Sequence, residues 1–259
     1  MTRRTAVAAG SILAAALALP CTVAAQGAPM TATAPAPTAE SVAAHVMQSL
    51  GGQAAWDNTL YIRFTFVGRR THWWDKWTGR HRVEGDTKDK QHYVVLENVN
   101  TKEGSAWLDG KKLEGDKAKE MLDNAYGAWV NDTYWLIEPY KLRDPGVNLS
   151  YAGDETIDGK AYDKLALSFG KVGLTPGDRY TVYVNRATGL VDRWAYILQD
   201  MPKDGPPTVW KWEGWQKYGN IMLAPHRVQI GEERKLELSN IAVLDQLPDA
   251  VFTSPDPVK

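Results

Sequence analysis

The chain has 259 residues, with 30 Lys and Arg against 31 Asp and Glu and a formal charge of −1. The two signs are interspersed and form no basic stripe, which excludes nucleic acid as a partner. With one cysteine, Cys21, an internal disulfide is also excluded, so stability has to come from core burial.

Residues 1–25 have the three parts of a secretory signal: Arg3 and Arg4, an apolar run from Ala6 to Leu19, and small residues ending at Ala25. The apolar run falls short of the ~20 residues that a membrane-spanning helix needs. Cleavage after Ala25 is expected, with the mature protein in the periplasm or cell envelope. It would remove two arginines and no acid, moving the formal charge from −1 to −3. Cys21 supports a rival reading, a lipid-anchored N-terminus, although Pro20 and Ala18 stand where a small residue and Leu are expected. Residues 26–36, with Pro29 and Pro35 among Ala and Thr, read as a disordered spacer ahead of a single domain over 37–259.

In that domain Thr38 can cap a helix to about Leu50, with Val42, Val46 and Leu50 on one face and Gly51-Gly52 as the stop. Alternating Leu60, Ile62, Phe64 and Phe66 predict a strand, and similar segments follow at 70–77, 79–86, 91–98 and 104–108. Thr78-Gly79 and Asp109-Gly110 mark tight turns. Ala118, Met121, Leu122, Ala125 and Trp129 then fall at helical spacing behind Asp116, a reasonable N-cap, and predict a helix of about four turns over the concave face of the sheet. Strands resume at 147–153, 160–169, 179–185, 190–198, 207–216, 221–230 and 234–243, with turns at Asp158-Gly159 and Thr188-Gly189. So long a meander must curl to bury its apolar face. The fold class predicted is mainly β: a curved, unclosed antiparallel barrel of about 11–12 strands with helices over its concave face.

Between the two sets of strands lies the densest stretch of the chain, Val130 to Tyr151. Asn131 or Asp132 can cap the following turn, with Tyr134 and Trp135 packed beneath it. Asp132, Tyr134, Tyr140, Lys141, Arg143 and Asp144 then form either a network fixing the crossing from helix to sheet or a polar rim for a ligand headgroup. The sequence leaves both readings open.

Eleven tryptophans stand beside four phenylalanines. Large rings of one parity can fill a core or line a cavity for an apolar ligand. Phe64, Phe66, Trp135, Trp194, Trp210 and Trp212 are the candidates for such a cavity. His72, His81 and His92 lie near Asp75 on early strands, but they are scattered and lack metal-ligand spacing, so they read as polar surface histidines, with no metal or cofactor expected. Asp75, Glu84, Glu97, Asp132 and Glu138 offer no distinguishable acid–base pair. The mature chain has no Cys nucleophile, no Gly-x-Ser-x-Gly and no phosphate-cradling loop. An enzyme is the less favoured reading, and it stays open together with a sugar-binding module on the same scaffold.

Five segments carry a resemblance: GRHRVEG (79–85), AWLDGKKL (106–113), YWLIEPYKLRDPGV (134–147), IMLAPHRVQI and LSNIAVLDQLPDAVF. They resemble the LolA/LolB-like outer-membrane lipoprotein-sorting proteins, and more closely a bacterial branch of that superfamily marked by the central motif. The resemblance implies an unclosed, strongly curved antiparallel sheet with helices over an apolar cavity that receives acyl chains. It further implies a carrier for a lipid, lipoprotein acyl chain or other apolar ligand, with an envelope protein partner and peripheral membrane contact both possible. In the carrier proteins a basic strand residue holds the helical lid, and Arg80 or Arg82 is the nearest match. Leu174, in KVGLTPGD, is similar in character to an exposed leucine of the lipoprotein-receiving member but lies elsewhere in the chain.

Overall fold

The computed structural model describes residues 36–232 and 234–258. The expected signal over 1–25, Cys21 and the spacer up to residue 35 lie outside the described residues.

Thr38 caps the first helix, α1 (Ala39–Ser49), in a reciprocal capping box with Ser41. Its apolar face, Val42, Ala43, Val46 and Met47, is buried. A short helix, α2 (Gln53–Asp57), leads into strands β1 (Tyr61–Phe66), β2 (Arg70–Asp75), β3 (Arg80–Asp86), β4 (His92–Asn98), β5 (Glu103–Leu108) and β6 (Lys111–Lys112). After β6 comes α3 (Gly115–Ile137) and a 3-10 turn (Glu138–Tyr140). The second run is β7 (Val147–Ile157), β8 (Lys160–Phe169), β9 (Arg179–Asn185), β10 (Val191–Ile197) and β11 (Thr208–Glu213). Last come β12 (Gln216–Tyr218), β13 (Ile221–Leu223), β14 (His226–Gln229), β15 (Lys235–Leu244) and α4 (Ala250–Thr253).

Thirteen strands form one sheet, ordered β6-β5-β4-β3-β2-β1-β15-β14-β11-β10-β9-β8-β7, and β12 and β13 pair separately. All neighbours are antiparallel. The chain therefore meanders out to one edge at β6 and returns by a second meander from the opposite edge at β7. Strands β1 and β15 join the two halves, with Tyr61 opposite Leu244. The sheet is unclosed, and α3 is the connection between its two edge strands. Its curl brings Phe64, Leu165, Trp194 and Trp210 into one cluster with α1 and the end of α3. Asp109-Gly110 and Asp158-Gly159 make the expected tight turns, all four residues at positive φ.

Three expectations are corrected. The predicted strand at 221–230 is two, because Pro225 cannot donate to a ladder and the chain bends between β13 and β14. Only β14 of the two joins the large sheet, whose thirteenth strand, beside the 12 segments predicted, is the two-residue β6. Helix α3 starts earlier, behind Glu114 rather than Asp116, and continues to Ile137, since no breaker precedes Pro139. Asn131 and Asp132 are therefore mid-helix residues and not caps.

Candidate functional site

The concave face carries an apolar cavity of about 630 Å³ between the C-terminal half of α3 and strands β7 to β10. Helical spacing turns Tyr126, Val130, Tyr134 and Ile137 towards it, with Trp129 beside them. The opposite wall is a same-parity set of sheet residues: Val147, Phe169, Tyr180, Trp194 and Tyr196. Tyr180 and Tyr196 are register partners across β9 and β10, and Trp194 pairs with Val182. Rings meet edge to face: Trp135 on Trp194 at 4.8 Å, Tyr134 on Tyr180 at 5.4 Å and Trp74 on Trp129 at 5.5 Å. This geometry lets the positive edge of one ring meet the negative face of the next. It also gives the buried indole N–H groups of Trp74, Trp129 and Trp194, which have no oxygen partner, aromatic faces to approach. Over the mouth runs the 170–178 loop, whose Val172 and Leu174 line the cavity while remaining exposed.

Polar groups are few. Lys141 pairs with Asp144 at the rim, both half-exposed. Asp178, also on the lining, accepts hydrogen bonds from the Thr175 hydroxyl (2.6 Å) and the Gln199 N–H (2.8 Å), which pins the loop to the chain just past β10. Burial pushes the Tyr134 and Tyr180 hydroxyls up, and neighbouring carboxyls add to the shift, so both stay neutral.

Behind this wall Glu138 and Arg227 are fully buried. Neither carboxyl oxygen of Glu138 has a hydrogen-bond partner, and burial raises its pKa to about 8 against the opposing field of Arg227. Burial also pulls Arg227 down. The guanidinium nevertheless donates to the Ala224, His226 and Trp135 carbonyls at 2.8, 2.9 and 2.5 Å and lies 3.4 Å from the Trp212 ring centroid. Those partners favour its cationic form.

A second polar array crosses from α3 to the sheet. Arg70 donates to both oxygens of Asp132 (2.5 and 2.8 Å), and His72 Nε2 lies 2.9 Å from the same carboxylate. His72 Nδ1 is 3.0 Å from His81 Nε2, and His81 Nδ1 is 2.9 Å from Glu97 Oε1. The Arg70 bonds hold Asp132 below the usual carboxylate range, against the burial that raises it. An ionised Asp132 accepts a hydrogen bond from the Nε2–H of His72, so His72 Nδ1 accepts from the Nε2–H of His81 and one proton lies between His81 and Glu97. Burial is the largest influence on His72 and lowers its pKa to about 4. Both imidazoles are completely buried, which gives a substrate no access. They correct the reading of scattered surface histidines, because the β2–β3 pairing brings positions 72 and 81 together on the concave face. His92 alone is exposed, near Asp86. Among the described residues no group of three or more His, Cys, Asp or Glu is placed to hold a metal ion.

The six proposed cavity residues divide. Trp135 and Trp194 line the space. Phe64 is buried and stacks on His72, Phe66 lies under the Arg70 guanidinium, and Trp210 and Trp212 are buried in the core beside the cavity floor. The motif residues divide as well. Tyr134, Lys141 and Asp144 reach the cavity, and Asp132 faces Arg70 and His72. Tyr140 ties core elements together through Leu50 and Met222, and Arg143 pairs with Glu40 of α1.

Arg80 and Arg82 are corrected as lid contacts. They share parity with each other but oppose His81 and Val83, so they project from the convex face. Arg80 bonds to Asp75 and Asp249; Arg82 bonds to Glu84 and to the Ser254 and Asp256 carbonyls. They fasten the C-terminal segment, where Trp73 packs on Val251 and Phe252.

Tyr126, Trp129, Phe169, Tyr180 and Tyr196 also line the cavity and were not among the candidates. Helical spacing with Tyr134 could have found the first; strand parity with Trp194 along β10 could have found Tyr196, whereas Tyr180 joins them only through the β9–β10 register.

Fold and site together define an unclosed antiparallel sheet wrapped round an aromatic cavity beneath a long helix. Neither the sequence families nor the curated proteins compared with the chain match it. Among solved structures it is similar to a DUF1329 family protein from Desulfovibrio piger, at 14% identity and TM-score 0.45, covering 83% of this chain and 96% of that one. It is also similar to an outer membrane lipoprotein-sorting protein domain from Vibrio parahaemolyticus, at 9% identity and TM-score 0.39, covering 77% and 93%. A LolA superfamily protein from Nitrosomonas europaea follows, at 12% identity and TM-score 0.37, covering 85% and 99%. Among the described residues no helix is long and apolar enough to cross a membrane.

Proposed function

We propose that this protein is a cell-envelope carrier that shelters a lipid or lipoprotein acyl chain, or a similar apolar ligand, in the cavity under α3. The observation that carries the reading is the cavity of about 630 Å³, walled by aromatic rings and Val, Leu and Ile side chains. That volume lies within the roughly 300–1,000 Å³ of small-molecule sites. Shielding an apolar chain from water needs no catalytic group, and each buried methylene contributes ~0.8 kcal/mol. The exposed Val172 and Leu174 at the mouth are where a membrane surface or an envelope partner would hand over the chain. An export signal over residues 1–25 places this work outside the cytoplasm on the same reading.

The test is intrinsic tryptophan fluorescence titrated with alkyl maltosides of increasing chain length, below their micelle concentrations. Affinity should rise about fourfold per methylene until the cavity is filled. A response independent of chain length would remove the carrier reading and favour a sugar-binding or enzymatic one.

A further inference from the structure

The charges on the cavity wall say which headgroup belongs there, an inference that rests on the cavity being the binding site. Its lining contains one cation, Lys141, and that ammonium is already paired with Asp144. A second carboxylate, Asp178, lies on the same lining without a basic partner; its hydrogen bonds come from the Thr175 and Tyr180 hydroxyls and the Gln199 backbone N–H. The lining therefore has one more acid than base.

The rest of the wall points the same way. The rings of Trp74, Trp129, Tyr134, Tyr180, Trp194 and Tyr196 all border the space. Each presents a negative face to any group that meets it face-on, and cations over such faces gain more when water is excluded. Glu138 lies behind Tyr134 and Tyr180, fully buried with both oxygens unpartnered, and because burial raises its pKa to about 8 it adds no negative charge to the wall at neutral pH. Arg227 opposes that carboxyl, but its guanidinium is committed to three carbonyls and to Trp212 on the far side of the wall. No basic side chain on the lining is free to receive a phosphate or carboxylate head.

We infer that the cavity selects an amphiphile whose polar end carries a positively charged nitrogen, a quaternary ammonium or an alkylamine, over one with an anionic head. The apolar tail gives affinity through burial, and the aromatic faces with the excess acid decide which head can follow it.

The experiment compares dodecyltrimethylammonium, dodecyl maltoside and tridecanoate, which share a twelve-carbon alkyl chain, on the full mature protein below their micelle concentrations and at low ionic strength. The cationic amphiphile should bind roughly tenfold or more tighter than the carboxylate, with the maltoside between them. Asp144→Asn, at a half-exposed rim position, leaves Lys141 uncompensated and should shrink that ratio. Equal affinities, a preference for tridecanoate, or an unchanged ratio in Asp144→Asn would overturn the headgroup assignment while leaving the apolar cavity reading intact. Failure of all three to bind would remove the cavity reading and this inference with it.

Discussion

Tyr140 shows how one side chain of the central motif acts as architecture. Its hydroxyl lies 2.9 Å from the Leu50 carbonyl and 2.8 Å from that of Met222, and it accepts the Met222 N–H at 3.0 Å. The hydroxyl thus joins a junction between the end of α1 and β13 in which the Met222 N–H also donates to the Leu50 carbonyl at 3.0 Å, while the ring stacks on Trp56 at 4.4 Å. Tyr140→Phe keeps the ring and removes the hydroxyl's bonds while the Met222 N–H stays on the Leu50 carbonyl, so it should cost about 0.5–1.5 kcal/mol. Urea unfolding should give a lower midpoint at an unchanged slope; an unaltered midpoint would mean that water replaces the hydroxyl without loss. Gly127 is the reverse case, a residue whose absent side chain leaves space. It sits inside α3 on the cavity lining, with Leu174 the nearest group a Cβ would meet, at 4.0 Å. Gly127→Ala should stabilise the helix by up to ~1 kcal/mol. Gly127→Phe should instead fill the space and weaken long-chain amphiphile binding by about tenfold. Equal binding by parent and Gly127→Phe would show that the ligand lies elsewhere.

At the scale of the element, α3 has two different attachments. Its N-terminal half sits on an apolar patch, with Ala125 buried against Val83, Val95 and Ala106, and Met121 and Leu122 alongside. Its C-terminal half stands off the sheet to leave the cavity, and between the two Asp132 takes hold of Arg70 and His72. That polar anchor makes stability depend on pH. His72 titrates near 4 when folded, below its usual 6.5, because burial disfavours the imidazolium. The unfolded chain therefore binds more protons between those values. Stability is complete above pH ~6.5 and falls by about 3 kcal/mol as the pH drops to ~4. Asp132, Arg70 and His81 face the ring directly, and Glu97 reaches it through His81. Denaturant unfolding across that interval should show the decline in the parent and a shallower one in His72→Gln. Parallel slopes would place the proton uptake on another group.

At the scale of the whole molecule, the topology explains why the cavity exists. A sheet of thirteen strands whose edge strands, β6 and β7, do not pair leaves an apolar concave face that nothing in the sheet can cover. The segment joining those edges has to cross that face, and a 23-residue helix spans it as a hydrogen-bonded unit. The helix backbone comes close to the sheet at β4 and β5, whereas over β7–β10 it is bridged by long aromatic side chains, and that wider gap keeps the space. The same topology assigns the two sides of β3 different tasks. His81 and Val83 serve the helix, whereas Arg80 and Arg82 serve the C-terminal segment.

The sequence by itself determined the periodic parts of this protein. Alternation at Ile62, Phe64 and Phe66, the Asp-Gly turns, the Thr38 cap and the Ala125 face of α3 are local patterns, and local geometry reproduces them. Same-face aromatics on β10 were legible for the same reason. Tertiary structure decided which aromatics face space and which are core. Trp194 and Trp212 are equally buried and share the concave face, yet only Trp194 borders the gap beneath α3. It also decided the partners of buried charge. His72 and His81 meet only through the β2–β3 register, and Asp132 reaches them across 60 residues of chain. Parity along a strand is a property of neighbouring residues, whereas pairing across the sheet depends on where a curved surface and a helix come to rest.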